Sequence, residues 1–444
     1  MTDFDVIVIG TGVAGQTAAE ELAAAGMKVA AVDRREFGGT CLLRGCEAKK
    51  VLFTVAEVVE RAAAQKRSGL IGDLSIDWPA LIAFKREFTD PAPAGVEGAI
   101  KSAGAEALHG EARFVGPDAV SIAGNRYSAE HIVIATGARP VPLGIRGEDL
   151  VLTSEGFLAA EQLGARIVFI GGGYISLEFA HIAAAAGAEV TVCHRGSQVL
   201  RGFDPDLAAM LADGYRQAGI DVRTDAPVDA VEKAGEGLAV VLKSGERLGC
   251  DMVVHGAGRV PDLEALDLEA GGVRFGRHGV EVDDHLRSTT NAQVWAAGDG
   301  AARGLPLTPV GIAQARVIVR AILGEADAVY DPAFVPSVVF SDPPLASIGL
   351  TESQAGERGI DVTANLFDTT SWGSSRRVGA RVSGAKVLVE QGTGKLVGAH
   401  LLGHHADEVI NVFAAAMAGG LTARDLKSMP WAYPTGAWDI GYLV

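Results

Sequence analysis

The sequence predicts an α/β protein, with two parallel-sheet βαβ domains followed by a C-terminal α+β domain. Three observations carry this. Residues 4–15 read FDVIVIGTGVAG, a β-branched apolar run, a glycine turn and the start of an alanine-rich helix. Residues 166–176 read RIVFIGGGYIS and repeat that pattern about 160 residues later. From about Asp331 onward, strand-like and helix-like stretches of mixed type alternate instead.

Each glycine turn feeds a helix and then a second strand, near 28–32 in the first copy and 189–193 in the second. Between the copies lie helical stretches near 47–66 and 77–103, the second interrupted by Pro91 and Pro93. Strand-like pieces follow and end at 132–134 with Ala135-Thr136-Gly137. The second copy runs to about Gly258, and a short segment then ends at 294–297 with Gly298-Asp299. This places domains at 1–140, 141–262, 263–330 and 331–444.

Composition fits that plan. The 444 residues are 48% hydrophobic and 21% charged, with a mean hydropathy of +0.22. Such a chain holds roughly three domains with ample core. Net charge is −16, from 39 basic and 55 acidic residues. An acidic surface repels phosphate backbones and anionic lipid, so neither nucleic acid nor a membrane is an expected partner. No stretch approaches about 18 uninterrupted apolar residues, and the first residues carry no basic, cleavable leader pattern. Four cysteines are too few for a disulfide framework, which points to a reducing compartment, and cytoplasm is the expectation.

Gly10, Gly12 and Gly15 form GxGxxG between a strand and a helix, and Asp33 ends the next strand. The first glycine makes the turn, the second lets backbone approach a pyrophosphate, and the third lets helix and strand pack. The acid suits a ribose hydroxyl. This is a Rossmann-type dinucleotide site, and FAD is its expected cofactor. The second site reads Gly171, Gly173 and Ser176, and its second strand ends in His194-Arg195, with Arg201 beyond. Two guanidiniums in place of an acid suit a 2′-phosphate, so NADPH is expected there.

Cys41 and Cys46 stand five residues apart. In an unbroken helix that offset is about 7.5 Å of rise, too long for an unstrained disulfide. Gly45 permits a distortion that would bring the sulfurs together. Lys49 follows Cys46 by three residues, on the same helical face, where its charge favours a thiolate. Two inert cysteines are the alternative; behind a dinucleotide motif, redox chemistry is the expectation.

Residues 38–50, GGTCLLRGCEAKK, resemble the redox-active segment of the flavoprotein disulfide reductases, a family that includes glutathione reductase, dihydrolipoamide dehydrogenase and mercuric reductase. The resemblance runs through the whole chain in order. It implies two Rossmann-like dinucleotide-binding domains plus a C-terminal α+β dimerisation domain, hence a homodimer. FAD binding is implied for 1–140, completed by 263–330, NADPH binding for 141–262, and subunit pairing for 331–444. By resemblance, Gly39, Thr40, Thr136, Gly137, Asp299 and Thr308 contact FAD. Cys46 is similar to the flavin-proximal cysteine and Cys41 to the interchange thiol. Lys49 and Glu178 are similar to the ion pair beside the flavin, Tyr174 to the aromatic gate for nicotinamide, and Arg195 and Arg201 to the 2′-phosphate arginines.

The departures bear on substrate. The family's C-terminal His-Pro-Thr, followed by a Glu and supplied across the dimer, is here Tyr433-Pro434-Thr435, with Trp438 at the Glu position and Asp439 next. A phenol of pKa about 10 can donate a proton but is a poor base at neutral pH. Glutathione reductase has an arginine where this chain has Glu20, and a tyrosine between the glutathione halves, yet no Tyr precedes Tyr127 here. Arg316 matches an anion-binding arginine of that enzyme. Trp431 and Trp438 line the substrate pocket or seal the dimer interface. The step Glu47-Ala48 replaces the family's apolar-Pro without a physical account. His404-His405 beside Asp407-Glu408 are expected as loop histidines rather than metal ligands, and Cys193 and Cys250 as inert core residues.

The expectation is an NADPH-dependent FAD enzyme reducing a small disulfide through Cys41 and Cys46. The alternative is a non-disulfide acceptor, a metal ion or quinone, in the manner of mercuric reductase. Those enzymes carry a C-terminal cysteine pair, whereas the last cysteine here is Cys250. A non-catalytic flavoprotein is disfavoured by the intact Cys41, Cys46, Lys49 and Glu178.

Overall fold

The structure, a computed structural model, describes residues 2–444. Its chain divides into two compact units, one formed by 1–51, 83–141 and 258–332, the other by 52–82, 142–257 and 333–444.

The first unit is built on a seven-stranded sheet. Strand Phe4–Ile9 lies between Val29–Asp33 and Asn125–Ile134, parallel to both. Glu106–His109 extends one side, and Val294–Ala296 pairs with the far edge of Asn125–Ile134. Parallel central strands are covered on both faces, which is why FDVIVI is almost wholly buried rather than alternating. Helix Val13–Ala24 follows the first glycine turn, with Gly12 at its N-cap. The region expected as one interrupted helix at 77–103 is two helices, Trp78–Thr89 and Ala92–Ser102. Pro91 and Pro93 cannot continue a helix from upstream but suit the start of the next one.

The second unit holds a four-stranded parallel sheet ordered Asp221–Arg223, Glu189–Cys193, Arg166–Ile170 and Met252–His255. Helix Tyr174–Ala185 packs on it behind the second glycine turn. A three-stranded antiparallel sheet, Val228–Ala234 to Cys250, abuts it through a shared apolar core containing Cys193 and Cys250. The C-terminal quarter forms a five-stranded antiparallel sheet with helix Ala406–Ala418 against it, packed through Ile410, Phe413 and Met417. No helix among the described residues is long and apolar enough to cross a membrane.

Candidate active site

In the first unit, two short elements present the cysteines. Helix Gly39–Arg44 carries Cys41, and helix Cys46–Ala64 opens on Cys46. Gly45 separates them with φ −141° and ψ −121°, far from helical. A Cβ at Gly45 would lie 2.7 Å from the carbonyl oxygen of Thr40, so only glycine allows this break. The break replaces the long rise of a continuous helix and brings the two thiols into hydrogen-bonding contact. Cys41 is half-buried and Cys46 exposed. Thr308, the first residue of helix Thr308–Ile322, donates a 3.0 Å hydrogen bond from Oγ1 to Cys41 Sγ. The same oxygen lies 3.9 Å from Cys46 Sγ.

The Cys41 thiol is pushed far above its ordinary value, first by its hydrogen bond with Cys46, then by burial and the charge on Cys46. Thr308 pulls the other way. One negative charge is therefore shared unequally: with it on Cys46, Cys41 keeps its proton. Lys49 is buried on the same helix.

Around the first glycine turn, Gly39 approaches Gly12 so closely that a Cβ on Gly39 would sit 2.4 Å from the Gly12 Cα. Asp33 Oδ2 accepts hydrogen bonds from the Thr11 amide and hydroxyl at 2.9 and 2.8 Å, and Oδ1 accepts from the Arg35 amide. A carboxylate retains further lone pairs for a ribose hydroxyl. Thr136 Oγ1 is buried with no hydrogen-bond partner among the described residues. Burial raises the Asp299 carboxyl above its ordinary value, against the pull of Arg259. A side-chain-free cradle, an orphaned hydroxyl and an acid held from water fit a bound dinucleotide such as FAD.

Glu20, Glu21 and Arg316 belong to the same unit. Glu20 accepts a 2.8 Å hydrogen bond from Gln16, and Arg316 pairs with Glu21 at 3.1 Å. The arginine expected to meet an anion is thus already engaged, although the pair is exposed and weak.

In the second unit, Gly171 and Gly173 form the turn and Gly173 caps helix Tyr174–Ala185, leaving Tyr174 44% exposed. The Gly172 amide donates to His194 Nδ1 at 3.0 Å. His194 Nε2 and Ser176 Oγ are buried without partners among the described residues. Burial lowers the His194 pKa, and the nearby Arg195 and Arg201 charges push in the same direction. Both arginines are exposed and form no ion pair among the described residues. This cluster lies at the end of strand Glu189–Cys193. Glu178 is 2% exposed and accepts a 2.8 Å hydrogen bond from the Phe340 amide.

The C-terminal segment also lies in this unit. Tyr433 is 73% exposed, its ring edge-on to Trp438 at 4.9 Å. Trp431 Nε1 donates to the Leu426 carbonyl at 3.0 Å. His405 sits at the N-cap of helix Ala406–Ala418 with φ +70°, against Gly436.

Sequence reasoning placed Thr308 beside the flavin and missed its bond to the sulfurs. Proline after it marks a helix start, but nothing local says that the hydroxyl meets residues 267 positions away. The ion-pair cluster behind Glu178 was missed as well.

Comparison with known proteins agrees. Residues 4–315 match the pyridine nucleotide-disulphide oxidoreductase family, and residues 335–440 its dimerisation domain. A glutathione reductase from Burkholderia cepacia is 36% identical over 447 residues, spanning 98% of this chain and 96% of its own. A dihydrolipoyl dehydrogenase from Bacillus subtilis is 30% identical, spanning 97% and 93%. The HOCl-induced flavoprotein disulfide reductase RclA from Escherichia coli matches with a TM-score of 0.88 at 28% identity, covering 99% of both chains. The chain belongs to the pyridine nucleotide-disulphide oxidoreductases and is a flavoprotein disulfide reductase that uses FAD, a pyridine nucleotide and a homodimerisation domain.

Proposed function

We propose that this enzyme takes its electrons from NADPH and delivers them to a small, low-molecular-weight disulfide through Cys41 and Cys46. The observation that carries this reading is the dithiol itself, two sulfurs in contact across the Gly45 break with Thr308 bonded to one of them. FAD, when bound, supplies the two-electron link between nicotinamide and the sulfur pair. We assign FAD to residues 1–140 with 263–330, NADPH to 141–262 and subunit pairing to 331–444. A reducing cytoplasm suits an enzyme whose work is to keep thiols reduced.

In the reduced pair, the Cys41 proton passes to the Cys46 thiolate, and the Cys41 thiolate so formed attacks one substrate sulfur. A mixed disulfide forms, and the first substrate thiolate leaves. Tyr433, supplied across the dimer as the family resemblance implies, donates a proton to that thiolate. Cys46 then gives its proton to the Tyr433 phenolate and attacks the Cys41 sulfur, the second substrate sulfur leaves as thiolate and is protonated by solvent, and the Cys41/Cys46 disulfide is restored. Two thiols are oxidised and one disulfide is reduced. Lys49 and Glu178 hold charge beside the flavin, Tyr174 shields the nicotinamide site, and Arg195 and Arg201 grip the 2′-phosphate.

A second reading is reduction of a metal ion or quinone. Tyr433 in place of an imidazole favours it, because such acceptors need no proton delivered to a leaving thiolate. RclA has been solved as a Cu(II) complex. Steady-state turnover with NADPH and NADH against disulfides, quinones and Cu(II) separates the two readings. Disulfide reduction that survives when Cys41 is intact and vanishes in Cys41→Ser supports the first. Turnover confined to metal ions or quinones overturns it.

A further inference from the structure

Behind Glu178 lies an ion-pair network that the reaction as described does not use. Glu178 Oε1 accepts the Phe340 amide at 2.8 Å. Phe340 opens a tight turn between strands Ser337–Val339 and Leu345–Gly349. Ser341 closes that turn with a 2.7 Å bond from its Oγ to the Pro343 carbonyl. The next residue, Asp342, faces Arg381 at 3.6 Å. Arg381 also donates from both terminal nitrogens to Glu60 Oε2, at 3.1 Å each. One guanidinium therefore ties the turn to the side of helix Cys46–Ala64 that carries Glu60.

Apolar and aromatic side chains pack between these charges. Phe53 packs on Phe340 and on His181, at 5.8 and 5.6 Å between ring centroids. His181, one turn beyond Glu178 on the same helix, is 3% exposed. Tyr215, 1% exposed, donates from its hydroxyl to the Leu177 carbonyl at 2.9 Å, next to Glu178 in sequence. Glu178 is buried, so its carboxylate depends on the protein groups that meet it, the Phe340 amide among them.

We propose that Arg381 is a positioning residue for Glu178, holding the turn at 340–342 so that the Phe340 amide stays on the Glu178 carboxylate. This rests on the reading of Glu178 as a charge beside the flavin. The charged groups bearing on Asp342 are Arg381 and Arg61, which favour its carboxylate; the Tyr215 hydroxyl meets its backbone, and Glu60 shares Arg381 with it. Burial already lifts the Asp342 carboxyl above its ordinary value, and Arg381 opposes that lift. Without the guanidinium, Asp342 keeps its proton to higher pH and Glu60 loses its partner. The turn then loses its tie to Glu60.

The test is the rate at which NADPH reduces the FAD-loaded enzyme, followed by flavin absorbance across pH. Arg381→Met should slow this step by on the order of 10-fold to 100-fold, as expected for a small misplacement at a reacting centre. KM for NADPH should stay unchanged. The acid limb of the pH profile should move up by about one unit, the usual effect of losing a nearby opposite charge. Arg381→Lys should restore most of the rate, and Asp342→Asn should flatten the acid limb. A lowered Tm with the acid limb in place, in both Arg381→Met and Asp342→Asn, overturns the proposal. Should Glu178→Gln itself be reduced at the normal rate, the reading of Glu178 falls and the proposal with it. Should Glu178→Gln be slow while Arg381→Met is not, the proposal alone falls.

Discussion

The hydroxyl of Thr308 donates a 3.0 Å hydrogen bond to Cys41 Sγ and lies 3.9 Å from Cys46 Sγ. It pulls the Cys41 thiol downward, while Cys46, burial and Glu47 push it up. Thr308→Val keeps the shape and removes the donor. Losing a hydrogen bond to a charged group costs about 1.5–3 kcal/mol, so the thiolate fraction of Cys41 should drop by about 10-fold to 100-fold. Alkylation of the NADPH-reduced enzyme as a function of pH measures this. Unchanged reactivity would show that the hydroxyl does not serve the sulfur.

The two cysteines should separate cleanly by spectrum. Cys41→Ser leaves Cys46 alone as a thiolate, and a long-wavelength absorbance band should be present without any reductant. Cys46→Ser should lack the band in every redox state. Reductive titration of the unmodified enzyme should consume twice the electrons that flavin alone accepts, because the disulfide is itself a two-electron couple. Uptake by flavin alone would mean that the pair does not cycle.

How much of this was readable follows from how local each determinant is. The glycine turns and Asp33 were legible because each is a short backbone problem: a strand, a turn that excludes side chains and a helix N-terminus. The break between the cysteines was legible through Gly45 for the same reason. The region 77–103 was expected as one interrupted helix and forms two, since Pro91 and Pro93 set a new start. The Thr308 contact joins residues 267 apart and the Arg381 pair with Glu60 residues 321 apart. Neither has a spacing signature; they depend on how sheets and helices stack, which one chain's periodicity does not encode.

Nucleotide preference is the next expectation. Arg195 and Arg201 are exposed at the end of strand Glu189–Cys193, and their charges already weigh on His194. NADPH should be preferred over NADH. Replacing both with alanine should cost NADPH about 1.5–3 kcal/mol per arginine and leave NADH nearly untouched. Equal kcat/KM for the two nucleotides in the unmodified enzyme would end the argument.

Stability should fall on the acid side of neutrality. Burial pushes His181 down to about 4, from 6.5. The native state therefore refuses a proton that the unfolded chain accepts. The stabilisation is complete above pH 6.5 and drains away as pH falls toward 4, by up to about 3 kcal/mol. His404, lowered to about 4 by burial, His405 and Arg61, acts in the same direction. Thermal melts between neutral and mildly acidic pH should show a falling Tm, with a shallower slope in His181→Leu. A variant as steep as the parent would exclude His181 as the source.

Substrate choice should follow charge around Glu20. Helix Val13–Ala24 presents Glu20, held by Gln16, and Glu21, which engages Arg316. Where glutathione reductase offers an arginine, this helix offers acid, and the remaining arginine is paired with Glu21. A disulfide bearing cationic groups is therefore better matched than glutathione disulfide. Trp431 and Trp438 flank Tyr433 in sequence, and an aromatic face adds about 0.5–2 kcal/mol to a bound cation. A zwitterionic disulfide, such as that of a betaine-type thiol, carries the cation for Glu20. If its thiol has a low pKa, it also departs as thiolate with little help from Tyr433. The comparison is kcat/KM for glutathione disulfide against cationic and zwitterionic disulfides, before and after Glu20→Arg. The parent should prefer the latter, and the variant should move toward glutathione disulfide by about 3-fold to 10-fold, the scale of one exposed charge contact. A parent that favours glutathione disulfide, or a variant that does not move, would show that Glu20 is a solvated surface charge with no part in recognition.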